Sequence, residues 1–346
     1  MGAVVLRSGA VWSLVTAAVH DGRPEGVLLA VLALAAGYAA GRILGALTPV
    51  AAPCAGAAAG LVQAVLLPRT APGPEAVVPL GHAGAAAALL ILSAGAACCA
   101  ARTTPVARVR LALWLLAGVV VVVGASLGSA TAVVACGAVL LCSLAAGRGF
   151  RRGPVLAGLA LFAALVTGLT WAVAGNVLPG GLAGAVREAL TSRRAELWRD
   201  ALGMARRASG LGVGPGRFGE LSETAARSSP PDGKPHSAPL QLAAEQGVVG
   251  VLLLGAVFCW VLFALWRAPR PTPVVLTAAA SLTALAVVAS AGNALSFTTV
   301  TAGAGLLAGV ATARPLTEAL PVREPARTSG AAPRCGRDLH GGRPAG

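Results

Sequence analysis

The stretch "RASGLGVGPGRFGELS", residues 207–222, decides how the chain is read. It contains a literal G-x-G-x-x-G, formed by Gly214, Pro215, Gly216, Arg217, Phe218 and Gly219. In a dinucleotide-binding α/β fold such glycines follow a strand, open a helix and have an acidic residue about twenty positions on. Here they follow a helical stretch and include Pro215, which has no N–H to offer a phosphate. The dinucleotide reading fails. A glycine-rich turn after a helix still exposes backbone N–H groups, and Arg217 projects nearby. That combination suits an anionic group; the plain alternative is a helix C-cap and a loop.

Outside this stretch the chain reads as membrane. It has 346 residues, 56% hydrophobic and 12% charged, with a mean hydropathy of +0.77. Soluble domains carry about 25% charged residues. The formal net charge of +14 needs no nucleic acid, because membrane-protein loops collect Arg and anionic headgroups attract them. The seven cysteines form no C-x-x-C, and six of them lie in apolar runs; they read as small buried hydrophobes. His20, His82, His236 and His340 lie far apart and make no metal pattern. No signal-peptide cleavage pattern is evident, so the first apolar run reads as a retained helix.

A hydrocarbon core of about 30 Å needs roughly 20 apolar residues per helix. Runs of that order fall near 26–47, 49–67, 79–101, 110–126, 130–147, 153–174, 247–266, 273–291 and 295–313, with a weaker one near 4–19. The expectation is an all-α polytopic bundle of about ten spans. Its parts are N-terminal transmembrane helices over 1–174, an extracytoplasmic loop over 175–246, C-terminal helices over 247–313 and a disordered basic tail over 314–346. With ten spans, Arg7, Arg42, Arg102, Arg108, Arg110, Arg148, Arg151, Arg152, Arg267, Arg270 and the arginines of the tail share one side. The positive-inside rule makes that side the cytoplasm, with both termini in it and 175–246 outside.

The helix interiors hold essentially no Asp, Glu or Lys, which disfavours an ion-coupled transporter. Gln63 is their most polar residue and reads as a helix–helix hydrogen-bonding group. Polar chemistry therefore concentrates in the long loop. Residues 188–208, "EALTSRRAELWRDALGMARRA", read as a helix. Thr191 or Ser192 is its N-cap, Glu196 lies in its first turn, and Leu197, Ala201, Met204, Ala205 and Ala208 form an apolar stripe. After the glycine turn comes "DGKPHSAPLQLAAEQGVVGVLLLG", residues 232–255. Pro235 breaks the chain, His236 follows, and a short amphipathic helix through Leu240, Leu242, Ala243 and Glu245 leads by Gly247 and Gly250 into the next span.

Taken in order, these pieces resemble the O-antigen ligase and polysaccharide polymerase (Wzy-like) family. Its Arg-x-x-x-Trp helix is matched by Arg194 and Trp198, and its glycine turn by Gly212, Gly214 and Phe218. Its His-containing segment and Glu-x-Gly-x-x-Gly lead-in are matched by His236, Leu240, Gln241, Glu245, Gly247 and Gly250. The resemblance covers roughly residues 190–255. Two positions depart: "SLGSATAV", residues 126–133, lacks the arginine the family often carries in an earlier hairpin, and the His-Asn pair is His236-Ser237.

The resemblance implies a GT-C-like glycosyltransferase of the cell membrane that requires neither metal nor cofactor. It would move or polymerise glycans from a polyprenyl diphosphate-linked donor to a glycan or lipid acceptor on the outer face. Arg194 would stabilise the diphosphate leaving group, whose charge rises as the glycosidic bond breaks. His236, the histidine of the loop, would be the base for an acceptor hydroxyl. Arg217, Gly214, Gly216 and Gln241 would bind substrate. The expected partners are donor, acceptor and membrane lipids, with no nucleic acid. The alternative is a non-catalytic membrane protein that binds or translocates lipid-linked glycans. Arg194 and His236 favour the enzyme, and the missing hairpin arginine favours the alternative.

Overall fold

A computed structural model describes residues 2–70, 80–177, 192–227, 233–314 and 316. The expected tail beyond Leu316, Cys335 and the N-cap candidate Thr191 lie outside the described residues. Within them the chain is helical, with no strand among the described residues. Ten apolar helices occupy the expected positions. They are α1 (Gly2–His20), α2 (Glu25–Leu47), α3 (Ala51–Thr70), α4 (Leu80–Thr103), α5 (Ala107–Ser126), α6 (Ala130–Ala145) and α7 (Arg152–Ala174) before the loop. The polar α8 (Ser192–Arg207) and the one-turn helices α9 (Phe218–Leu221) and α10 (Glu223–Ala226) follow. Then come α11 (Ala238–Trp266), α12 (Thr272–Ser290) and α13 (Thr298–Thr312). Among the described residues, eight helices are long and apolar enough to cross a membrane. The other two apolar helices, Ala51–Leu66 within α3 and Thr298–Thr312, are shorter. At 1.5 Å per residue, α13 spans only about 22 Å.

Helix is the form that satisfies every backbone polar group without water, and apolar side chains can then face lipid. Leu32, Val122, Val134, Leu141 and Leu252 stand exposed on the bundle surface. The central helices are α4 and α12, buried along most of their length. Hydroxyls join neighbours inside the bundle: Ser281 Oγ donates to the Ile91 carbonyl at 3.0 Å, and the Thr277 and Ser143 hydroxyls meet at 2.9 Å. Gln63, expected between helices, is instead exposed on α3. Cys98, Cys99 and Cys136 are buried as read, whereas Cys142 and Cys259 are exposed.

Lipid-soluble helices gain nothing from burying more apolar surface against one another, so close backbone approach supplies the attraction. Helices α2 and α13 show this. Gly37, Gly41 and Gly45, one turn apart, lie flush against α13, and Gly305 and Gly309 lie flush against α2. A Cβ at Gly37 would collide with the Ala302 carbonyl oxygen, and one at Gly309 with that of Tyr38.

The bundle has two distinct ends. At the basic end, arginines cap helix C-termini, where carbonyls lack intrahelical partners. Arg270 is buried and donates to the carbonyls of Gly45 at 2.6 Å and Ala313 at 3.0 Å, joining the ends of α2 and α13. Arg152 donates to the carbonyls of Ala268, at 2.8 Å, and Arg270. Arg102 reaches the carbonyls of Ser143 and Leu144 at the end of α6 and stacks on Trp114. At the opposite, loop end sit the α1–α2 connection, the end of α7, and the polar layer built from α8 to the start of α11.

Candidate active site

The loop-end layer is one folded unit. Helix α8 buries Leu197, Trp198, Ala201, Leu202 and Met204 against Phe218, Ala225, Leu240 and Ala244, with Trp171 and Val213 at the margin. Trp198 and Leu202 belong to the buried face, whereas Ala205 and Ala208, assigned to the stripe from spacing, are half-buried. The described helix starts at Ser192, so no acid falls in its first turn. Asp200, which lies off the apolar stripe, has a task. Its Oδ2 accepts from the Ser222 hydroxyl at 2.7 Å and the Thr224 N–H at 3.3 Å, which fastens α10 to α8.

The glycine turn is explained by a break in α11. Gly247 adopts φ 69°, ψ −164° inside an otherwise continuous helix, a conformation in which a side chain is strained. The break divides α11 into a short outer segment, 238–246, and a membrane segment, 248–266. It also frees backbone groups, and these must be paired. The Ala244 carbonyl accepts from Val213 N–H at 2.9 Å, and the Glu245 carbonyl from Gly214 N–H at 3.0 Å. The Gln246 carbonyl accepts from the Trp12 indole N–H of α1 at 3.1 Å. The Val248 N–H donates to Ser209 at 2.9 Å. Such contact requires backbones without intervening side chains. A Cβ on Gly212, itself at φ +70°, would collide with Glu245, and one on Gly247 with Gly210. Gly210, Gly212 and Gly214 are thus one half of a joint whose other half is Ala244–Val248.

The turn does hold an acidic group, and that group belongs to the protein. The Glu245 carboxylate is buried and accepts from the backbone N–H groups of Gly216 and Phe218 and from the Gln241 side chain. Gln241 Nε2 lies 3.4 Å from both carboxylate oxygens. Burial pushes the Glu245 carboxyl up to about 7, against those hydrogen bonds and the Lys234 charge, which lower it. Glu245 appeared in the sequence only as part of a lead-in to a membrane helix. The signal that could have marked it is a carboxylate two residues before a glycine at the membrane border, facing a turn rich in N–H donors.

The residues singled out from sequence occupy one layer. Arg194 lies one turn before Trp198 on α8, half-buried. Burial lowers its guanidinium below the usual arginine value, and it makes no hydrogen bond or ion pair among the described residues. His236 is buried and holds φ 52° immediately before α11, a left-handed conformation that costs about 1–2 kcal/mol for a side-chain-bearing residue. Gly214 and Gly216 are engaged with the Glu245 carbonyl and carboxylate respectively, and Gln241 with the same carboxylate. Arg217 donates to the His20 carbonyl at 2.8 Å and lies 3.9 Å from Glu220, so its charge is already partly met. Among the described residues no group of three His, Cys, Asp or Glu comes together as a metal site.

A polytopic helical membrane protein with a folded polar layer at one end, carrying a guanidinium with no partner among the described residues and a buried imidazole, is the class these features define. Residues 111–255 match the O-Antigen ligase family. The match runs from α5 through the polar layer into the membrane segment of α11. It connects the chain to cell-surface polysaccharide synthesis and to ligase-like glycosyl transfer. No curated protein matches the chain.

Proposed function

We propose that the protein transfers or polymerises glycans from a polyprenyl diphosphate-linked donor at the loop end of the bundle, without a metal or cofactor, and that this end faces out of the cell. The observation that carries the reading is Arg194. A half-buried cation with no counter-ion among the described residues costs desolvation energy that a bound anion returns. A diphosphate leaving group at the membrane surface is such an anion, and a guanidinium fork fits its oxygens. As the glycosidic carbon–oxygen bond breaks, the bonding pair goes to the diphosphate and Arg194 stabilises the growing charge. The acceptor hydroxyl bonds to the anomeric carbon and gives its proton to His236. Gly214 acts through the joint it forms, and Gly216 and Gln241 through Glu245.

The test is glycan transfer from a polyprenyl diphosphate donor in proteoliposomes, with the natural acceptor supplied. His236→Ala is expected to lower turnover by about 10²–10⁴-fold, the usual size of a general-base contribution, with donor binding nearly unchanged. Chelators are expected to leave the rate unaltered. If His236→Ala and Arg194→Ala both kept wild-type turnover, the non-catalytic carrier-binding reading would replace this one.

Orientation has its own test. In a cysteine-free background, Glu223→Cys at the loop end is expected to react with a membrane-impermeant maleimide on intact cells. Arg151→Cys at the basic end is expected to react only after permeabilisation. The reverse pattern would place Arg194 and His236 in the wrong compartment for a surface glycan.

A further inference from the structure

The α1–α2 connection and the glycine turn enclose a second polar feature at the loop end, a cleft of about 220 Å³ lined by His20, Asp21, Arg23, Gly216, Arg217 and Glu220. It is a built feature. Arg23 N–H donates to the Pro215 carbonyl at 2.7 Å, and the Arg217 guanidinium to the His20 carbonyl at 2.8 Å, so both walls are fixed by long-range bonds. One wall, residues 20–23, lies outside the O-antigen ligase match, which begins at residue 111.

Its charges identify the class of ligand. Glu220 stands between two guanidiniums, 3.5 Å from Arg23 and 3.9 Å from Arg217. Asp21 adds a second, exposed carboxylate. Two cations face two carboxylates, so the cleft has no net charge to offer a phosphate and contrasts with Arg194. It does offer both kinds of hydrogen-bonding group. The guanidiniums donate. The carboxylates accept, and so does one ring nitrogen of His20. The Nδ1 of that ring lies 3.2 Å from the Thr16 carbonyl, which can only accept, so Nδ1 carries the proton and Nε2 is the acceptor of the neutral ring. Alternating donors and acceptors suit vicinal hydroxyls, each of which is both. Salt-bridged carboxylates and guanidiniums are pre-oriented to bind them in pairs.

We infer that this cleft is a saccharide-binding subsite that takes an uncharged, hydroxyl-bearing sugar of the acceptor. Gly216 joins it to the reaction layer: its N–H holds Glu245 while its other side lines the cleft. The role as acceptor subsite rests on the proposed glycosyl transfer; the binding of sugar does not.

The experiment therefore measures binding first. Full-length protein in nanodiscs is titrated by saturation-transfer NMR with methyl glycosides of glucose, galactose and N-acetylglucosamine, with and without inorganic pyrophosphate. At least one glycoside is expected to bind the wild type. It is expected to bind about tenfold more weakly to Asp21→Asn and Glu220→Gln, the size of a lost hydrogen bond to a charged group. Pyrophosphate is expected not to displace it. Both positions are exposed, and unchanged melting midpoints will confirm folding. Absence of glycoside binding by the wild type, equal binding by the variants, or displacement by pyrophosphate would each overturn the subsite. In the transfer assay Asp21→Asn is expected to raise the acceptor KM and leave the donor KM unchanged. Should the wild type bind glycosides but transfer nothing, the proposed function fails and the sugar site stands.

Discussion

At the basic end of the bundle the Arg270 guanidinium is buried and its N–H groups are taken by the carbonyls of Gly45 and Ala313. At the loop end the Arg194 guanidinium is half-buried with no such partner among the described residues. Arg102 and Arg152 also donate to carbonyls at this end, Arg102 at the end of α6 and Arg152 in the α11–α12 connection. The contrast separates two uses of one residue type in an arginine-rich chain. Where carbonyls take up the guanidinium, arginine is part of the scaffold and adds a favourable cation to helix dipoles. Where they do not, we propose that it is held ready for an anion from outside. Arg217 lies between these extremes, with one carbonyl and one carboxylate as partners, and we assign it to the uncharged cleft.

The sharpest way to break this comparison is conservative exchange at both ends. Arg194→Lys keeps the charge and loses the paired contact, and Arg194→Ala loses both. Loss of a contact to developing charge typically costs about 10²–10³ in rate. Arg194→Ala is expected to reach that range and Arg194→Lys to fall short of it while still impairing transfer substantially. Melting temperature is expected to stay unchanged in both. Arg102→Lys is expected to do the opposite, keeping turnover per folded molecule and lowering the melting point. Equal effects of Arg194→Lys and Arg102→Lys on turnover would abolish the distinction.

Next in size is the scaffold itself. Arg270→Met removes donors from the carbonyls that end α2 and α13 and leaves them buried. Hydrogen bonds to charged groups contribute about 1.5–3 kcal/mol each, so a loss of roughly 3 kcal/mol or more is expected. It will be read as a lower midpoint in detergent unfolding, followed by intrinsic fluorescence. An unchanged midpoint would mean that the two helix ends are held by the glycine contacts of Gly37, Gly41, Gly305 and Gly309 alone.

The sequence carries these two ends unequally. Spans and their order are legible because a 20-residue apolar run has one physical solution in lipid, and ten apolar helices stand where hydropathy puts them. Caps such as Arg270 to Gly45 are invisible, since they join positions 225 residues apart. In the polar layer the motif residues are legible one by one, and their relations are not. Gly212 and Gly247 read as separate turns because nothing local says that one fits against the other. Glu245 is legible only as part of a lead-in to a membrane helix and Asp200 only as a residue off the apolar stripe, because spacing along one helix does not reveal partners on another. Each is identified only by its partners, Gly216 and Phe218 for the first and Ser222 for the second.

The smallest expected effect sharpens the comparison from the acidic side. Glu245 is the buried carboxylate of the loop end among the described residues, raised from an ordinary value of 4.5 to about 7 chiefly by burial. A carboxyl with a raised folded-state pKa binds more protons folded than unfolded between these two values. Stability therefore falls as pH rises from about 4.5 to 7 and levels off above it. The Gly216 and Phe218 amides and Lys234 limit the loss by favouring the charged form. Glu245→Gln keeps an acceptor for the turn amides and cannot ionise. It is expected to fold, to flatten the stability–pH slope over that interval, and to be more stable than the wild type near pH 7. The measurement is the urea midpoint of the polar layer, followed by Trp198 fluorescence at half-unit pH steps. A slope that survives in Glu245→Gln would show that another group sets it, and that the glycine turn does not depend on the charge state of the carboxylate it encloses.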